Sequence, residues 1–321
     1  MKDPLLIHVK NFLKAHHVAE KPLLLGFSGG GDSLALLHLL LEAGAGSSLH
    51  LAHVDHGWRP ESREEAESLS AMARKLDLPF HLHALTQKGK SNLEEGARIE
   101  RLAFFSKVYR EIDAQALLLG HHADDQAETV LKRVLEGAHL LSLGGIKEIS
   151  SLEGMQVWRP LLKFHKQFIV KWLDKRGFKG IEDSTNHDPS FLRARLRTQV
   201  LPSLAESYGK EISSNLVRLG RTMEQVEAMM TGEIDKTLSS IRREATGIFL
   251  DIPESYPRVL RSAIVKRFLQ GENFFLSYES LETVCSLLES KKSKRHFLSK
   301  GKKLIVNRGT LTVFVSNSFK N

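Results

Sequence analysis

The apolar run at residues 23–27 passes directly into Ser28-Gly29-Gly30-Gly31-Asp32-Ser33, and Leu34 opens a helical pattern. A fully apolar strand that turns through glycines into a helix constrains the chain to a buried sheet with crossover helices. The glycines allow backbone N–H groups to approach a ligand closely. With a helix N-terminus behind them, Gly29, Gly30 and Gly31 form an anion site. Ser28 and Ser33 add hydroxyl donors. Asp32 repels phosphate but can hold the Mg²⁺ that accompanies it. The loop lacks the lysine of GxxxxGK[ST] and the spacing of GxGxxG. Three glycines alone fit a tight turn without a ligand. Between strand and helix, with Asp and Ser in register, they point to a nucleotide phosphate.

The first half continues the alternation. Residues 49–54, 80–85 and 116–119 read as strands. Residues 34–41, 61–76, 93–112 and 124–135 read as helices. Near-continuous apolar strands alternating with helices predict an α/β fold, a doubly wound, mainly parallel sheet. A further strand at 156–162, a basic helix at 166–176 and an arginine-bearing helix at 191–201 follow. From about residue 211, Leu216, Leu219, Met223, Val226 and Met230 recur at helical spacing. Helices at 258–269 and 280–288 and a hairpin at 303–315 complete the pattern. The expected organisation is a catalytic domain at 1–205 and a second, mostly helical domain at 206–321 with a small β-hairpin at its end.

Two constellations follow the loop along the chain. In Gly120-His121-His122-Ala123-Asp124-Asp125-Gln126-Ala127-Glu128-Thr129, Asp124 suits a helix N-cap, and Asp125 and Glu128 share a helix face. Their helix would begin at the carboxyl end of a parallel strand, where ligands bind in open α/β sheets. The acids could hold a cation or an ammonium, or complement the helix dipole. A metal is a further reading, because His121 and Asp125 are four apart, although no third ligand has clear spacing. Arg101 lies on the helix at 93–112, where Glu94 and Arg98 offer a solvated ion-pair face. His53, Asp55 and His56 close the second strand, either as a polar cap or facing the same crevice.

Composition supplies the partner. The net charge is +8 and the pI about 9.4. Residues 159–202 hold ten Lys or Arg against four acids, and residues 291–303 hold seven against none. Such clusters can neutralise nucleic-acid phosphates. Arg193, Arg195 and Arg197 spread around a helix, so they cannot all decorate one solvated face. The lone Cys285 excludes a disulfide framework and a cysteine zinc site, and fits a reducing compartment. No run of eighteen apolar residues and no signal-peptide layout appears, so no membrane partner is expected and the expected compartment is cytoplasmic. A homodimer is left open.

Ser28–Ser33 resembles the SGGxDS signature of the PP-loop ATP pyrophosphatases. That family includes GMP and NAD synthetases, tRNA thiolation enzymes and lysidine synthetases. Further segments are similar to lysidine synthetase blocks: His53-Val54-Asp55-His56-Gly57-Trp58-Arg59, the segment 120–129, Arg159-Pro160-Leu161-Leu162, and Glu182-Asp183-Ser184-Thr185-Asn186. Arg193-Ala194-Arg195-Leu196-Arg197 is close to the family's RNxIR, with Ala194 in place of asparagine. The resemblance implies an ATP-dependent ligase that joins L-lysine to C2 of the wobble cytidine in the CAU anticodon of tRNA(Ile). It implies ATP and Mg²⁺ at Ser28–Ser33, with Asp32 as the metal ligand. It implies Arg101 on the phosphate and Asp125 with Glu128 on the lysine. Arg193, Arg195 and Arg197 are the expected tRNA contacts, and the second domain is expected to bind tRNA in a short-form enzyme. The alternatives are another PP-loop ligase or amidotransferase-type adenylating enzyme acting on a small molecule, and a non-catalytic nucleotide- or RNA-binding module.

Overall fold

The computed structural model describes residues 3–57, 61–85, 93–181, 188, 190–289, 295–307 and 309–315. Trp58, Arg59, the motif at 182–186, Lys291, Lys292, Lys294 and Arg308 lie outside the described residues. Two compact units emerge: Met1–Lys132 with Gly145–Val217, and Arg133–Gly144 with Arg218–Asn321.

Unit 1 is built on a six-stranded sheet. In chain order come α1 (Pro4–His16), β1 (Leu23–Gly26), α2 (Gly31–Glu42), β2 (Leu49–Asp55), α3 (Ser62–Lys75), β3 (Phe80–Ala84), α4 (Leu93–Glu111), β4 (Ala116–Leu118) and α5 (Ala123–Leu135). Then follow β5 (Ile149–Leu152), β6 (Met155–Trp158), α6 (Lys166–Asp174), α7 (Leu192–Arg195), a π-turn at Leu196–Val200 and α8 (Leu201–Tyr208), and α9 (Ile212–Leu238) begins in unit 1 and has most of its length in unit 2. The strand order is β3-β2-β1-β4-β6-β5, parallel except for β5.

β1 shows why the sheet is covered on both faces. Leu23 and Leu25 pack with α1, α2 and α6, whereas Leu24 packs on the opposite face with Phe105 and Val108 of α4. All three are fully buried. A strand apolar on both faces belongs in the middle of a helix-covered sheet. α2 is apolar nearly all round, with Leu34, Leu36, Leu37, Leu39 and Leu40 buried. α1 starts where Pro4 stands in the first turn and the Asp3 carboxylate accepts the Leu6 N–H at 3.1 Å. The same Asp3 accepts the indole N–H of Trp172 at 2.7 Å and Arg176 at 2.8 Å, tying α1 to α6.

Strand order reverses about β1, with β2 on one side and β4 on the other. The glycine loop after β1 and the acidic helix after β4 therefore open on one crevice at the topological switch point.

Unit 2 is helix-rich, as expected, and its β part is larger than the expected hairpin. It contains α10 (Arg258–Gly271) and α11 (Tyr278–Glu289), and also a five-stranded antiparallel sheet. The strands are β7 (Arg242–Glu244), β8 (Gly247–Asp251), β9 (Arg295–Ser299), β10 (Lys302–Asn307) and β11 (Thr310–Val315), ordered β7-β8-β11-β10-β9. The expected hairpin is β10–β11. One sheet face packs on the helices through Leu250, Leu304, Val306, Leu311 and Val313. Cys285 is buried in this unit, and burial pushes its thiol up to about 11.

Candidate active site

The loop Ser28–Ser33 closes on itself. The Ser28 and Ser33 hydroxyls are 3.1 Å apart, and Ser33 donates to the Gly30 carbonyl at 3.0 Å. Gly30 precedes α2 in extended conformation, so the first N–H groups of α2 are aimed at the crevice. Two other glycines cradle the loop. A Cβ on Gly120 would sit 3.0 Å from the Asp32 carbonyl carbon, and one on Gly180 would collide with the backbone of Gly31. The Ile181 N–H donates to the Gly29 carbonyl at 2.9 Å and holds this second wall in place.

Asp32 lies at the first turn of α2. Burial works against its charge, but His122 and Lys166 outweigh burial and hold the carboxyl below the usual range. Its Oδ2 is 3.6 Å from His122 Nε2 and 3.5 Å from Lys166 Nζ. Its Oδ1 is buried and accepts no hydrogen bond among the described residues. An ionised oxygen left without a donor fits a hard cation.

The acidic helix departs from its expected cap. His122 precedes α5, and the Asp125 carboxylate reaches back to the His122 N–H at 2.9 Å, as a third residue does in a capping box. Asp124 is thus not the cap of α5. It accepts the Lys166 N–H at 2.7 Å and the His165 Nδ1–H at 3.0 Å, and so serves the start of α6.

His122 is almost fully buried and lies 3.5–3.6 Å from Asp32, Asp124 and Asp125. Burial disfavours its charge, but the three carboxylates overcome this and raise its pKa. Neighbouring His121 behaves oppositely. Burial takes it down to about 4, with Asp125 favouring its charge and Arg159, Arg193 and His122 opposing it. The surroundings of the doubled histidine therefore favour charge on His122 and oppose it on His121. No cluster of three metal-ligating side chains forms among the described residues.

Asp125 and Glu128 do share a face, and they hold Arg197. Its Nε donates to Glu128 at 2.6 Å and its Nη2 to Asp125 at 3.2 Å. Glu128 is 2% exposed, and burial raises its carboxyl despite Arg197. Arg197 sits in the π-turn, where the Leu201 N–H returns to the Leu196 carbonyl. Expected as a tRNA contact, it instead points into the acid pair. His122, Glu128, Lys166 and Arg197 line a cleft of about 280 Å³.

Arg101 is half-buried on α4. Burial and the neighbouring charges of Arg193 and Arg98 lower its pKa, so three guanidinium groups share one region. Arg193 is exposed, and Arg195 donates to the Ser190 carbonyl at 3.0 Å. Ala194 is buried, so the position filled by asparagine in the family pattern is apolar here. Several other members of the basic count are also spent internally. Arg159 is 8% exposed and donates to the Lys147 carbonyl and to Ser150, while Arg176 pairs with Asp3 and Glu42. His53 donates to the Phe27 carbonyl at 2.8 Å and is a buried strand cap. Asp55 accepts the Gly57 N–H at 2.8 Å in a local turn.

Residues 1–204 match a family model described as a PP-loop domain. The chain is 36% identical over 306 residues to the tRNA(Ile)-lysidine synthase of Protochlamydia amoebophila, covering 94% of this chain and 67% of that protein. It is 35% identical over 298 residues to the tRNA(Ile)-lysidine synthase of Chlamydia pneumoniae, covering 92% of each. The chain belongs to the tRNA(Ile)-lysidine synthase family. The fold is shared with the U34-tRNA thiolase NcsA of Methanococcus maripaludis at a TM-score of 0.54 and 18% identity, over 68% of this chain and 79% of that one. Within the synthase family's frame, residue spacing alone had not revealed His122, Lys166 or His165. Each has a partner far away in sequence: Asp32 for His122 and Lys166, 134 residues off in the latter case, and Asp124 for His165.

Proposed function

We propose that this chain uses ATP to join L-lysine to C2 of the wobble cytidine in the CAU anticodon of tRNA(Ile), through an adenylated cytidine. The observation that carries the reading is the convergence of the glycine loop and the Asp125–Glu128 pair on one crevice, in a chain with synthase relatives at about 35% identity. In the first step the C2 oxygen attacks the α-phosphorus, and the bond to pyrophosphate breaks. In the second the deprotonated lysine ε-amine attacks C2, the C2–O bond to AMP breaks, and the new nitrogen loses a proton.

The chain's residues divide this work. Backbone N–H groups of the loop with Ser28 and Ser33 hold the phosphates. Arg101 stabilises the charge that develops on the phosphate. Asp125 and Glu128 receive the lysine ammonium, and Glu128, whose proton affinity burial raises, takes the proton the amine must lose. Asp32 would hold Mg²⁺ through its undonated Oδ1, and the ion would supply charge neutralisation on the polyphosphate. Arg193 and Arg195 remain the proposed tRNA contacts of unit 1, and unit 2 a tRNA-binding unit. Arg197 is better placed as a counter-cation to the acid pair. A cytoplasmic setting belongs to the same reading.

Pyrophosphate release tests this reading. Release should require tRNA, and repeated turnover should require lysine as well. Release without tRNA and with another amine would assign the chain to a small-molecule ligase instead.

A further inference from the structure

α6 begins on a residue that a helix start disfavours. Lys166 is its first residue, and no acid stands in its first turn. A cation there opposes the helix dipole, so helix stability does not explain the lysine. Nor is it a plain solvated side chain. Its ammonium turns inward to Asp32 Oδ2 at 3.5 Å and, among the described residues, meets no other acceptor. The side chain is half-exposed and lines the cleft it shares with His122, Glu128 and Arg197.

The backbone that carries Lys166 is held from outside the helix. His165 stands at the N-cap of α6 but makes no side-chain cap bond of its own. Asp124 supplies the cap instead: its Oδ2 accepts the Lys166 N–H at 2.7 Å, and its Oδ1 accepts the His165 Nδ1–H at 3.0 Å. The other ring nitrogen of His165 meets Ser214 Oγ at 3.2 Å, in the first turn of α9. α5 and α9 together thus fix the start of α6 and aim Lys166 at the glycine loop.

Asp32 cannot favour two cations equally. Its Oδ1 is the oxygen without a donor among the described residues, and Lys166 stands on Oδ2. A divalent ion on one oxygen and an ammonium on the other repel each other. Lys166 therefore lowers the affinity of Asp32 for a free metal ion. A metal ion carried by a polyphosphate is a different case, because the phosphate oxygens around it give the ammonium an anion to turn to. Lysine suits that exchange, as a compact charge on a flexible stem.

We propose that Lys166 exchanges Asp32 for the β- and γ-phosphates when metal-bound ATP enters, and that its ammonium then stabilises the departing pyrophosphate. When the bond from the α-phosphorus breaks, the bridging oxygen keeps the electron pair, and the charge that grows on the pyrophosphate is the charge Lys166 meets. Asp124, His165 and Ser214 are its positioning residues. The proposal rests on the ATP chemistry inferred above and deepens it, since it names the cation for the leaving group and makes the loop discriminate metal-bound nucleotide from free metal.

The test makes two binding measurements on the full chain: Mn²⁺ alone, read by electron paramagnetic resonance, and inorganic pyrophosphate with Mg²⁺, read by calorimetry. Lys166→Met should tighten Mn²⁺ about threefold and weaken pyrophosphate about tenfold. Lys166→Arg keeps the charge and should hold pyrophosphate within about threefold of the parent chain. His165→Asn keeps a residue suited to an N-cap, loses the reach to Ser214, and should shift the two affinities in the same opposed directions by about twofold. In turnover, Lys166→Met should lower kcat for pyrophosphate release and leave KM for lysine unchanged. Pyrophosphate affinity untouched by Lys166→Met overturns the proposal. So does a joint loss of Mn²⁺ and pyrophosphate affinity, which is what a collapsed loop would give. A chain that transfers lysine to tRNA while pyrophosphate binding is indifferent to Lys166 keeps the functional reading and loses this one. Opposed shifts in a chain that transfers no lysine do the reverse.

Discussion

Asp32 has one oxygen near His122 and Lys166 and the other buried without a donor among the described residues, which suits the cation proposed for it. Asp32→Ala should lower pyrophosphate release by at least about a hundredfold and leave tRNA affinity within about twofold, as binding assays alongside turnover would show. Arg197 neutralises an almost fully buried carboxylate. Arg197→Ala strands Glu128 and should cost roughly 2 kcal/mol in denaturant unfolding, below the usual cost of breaking a buried pair because Arg197 keeps a third of its side chain exposed. His139 in unit 2 donates to Ser262 Oγ at 2.8 Å and accepts the Leu141 N–H, and burial, with Lys266, takes it down to about 4. Its folded value lies below the unfolded value near 6.5, so the folded state resists a proton that the unfolded chain accepts. Stability should therefore be complete above about pH 6.5 and fall as pH drops towards 4. His139→Asn should be less stable overall and should lose up to about 1.4 kcal/mol per pH unit from that slope, read from unfolding midpoints across the window.

At the scale of elements, the glycine loop depends on its walls. A Cβ at Gly180 has no room against Gly31, so Gly180→Ala must displace either the wall or the loop. The expected result is about 1–3 kcal/mol of lost stability and weaker ATP binding, measured by unfolding and by nucleotide titration. The elements that build the crevice were legible because β1 and β4 are apolar on both faces, and because Asp125 and Glu128 sit one helical turn apart. Others left no such trace. β7 is Arg-Arg-Glu and wholly exposed, so no alternation marks it as a strand. β9 lies within a basic run and reads as a charged patch. α1 is interrupted by His8, Lys10 and Asn11, and its apolar stripe is clear only once Val9 and Phe12 are seen buried. Arg197 shows why the site itself was only partly readable. Three arginines at alternate positions point to different sides of a helix, but which one meets Glu128, 69 residues away, is decided by packing.

For the whole molecule, charge and chemistry are distributed over the two units. The net charge of +8 overstates what is available to a polyanion, because Arg159, Arg176 and Arg197 are held by the chain's own groups. The exposed cations of unit 1 include Lys171, Lys175, Lys179 and Arg193. Arg193→Ala should weaken tRNA binding and flatten its salt dependence by about one charge, whereas Arg159→Ala should act on stability rather than on the salt slope. The proposed reaction uses all three parts at once: the loop for ATP, the acid pair for an amine and basic surfaces for RNA. The most direct measurement is transfer of radiolabelled lysine to a tRNA(Ile) transcript in the presence of ATP, with a tRNA(Met) transcript as control. Label should appear on tRNA(Ile), require ATP, and be absent from tRNA(Met). ATP-dependent pyrophosphate release with no label on tRNA(Ile), or equal labelling of both transcripts, would contradict the account.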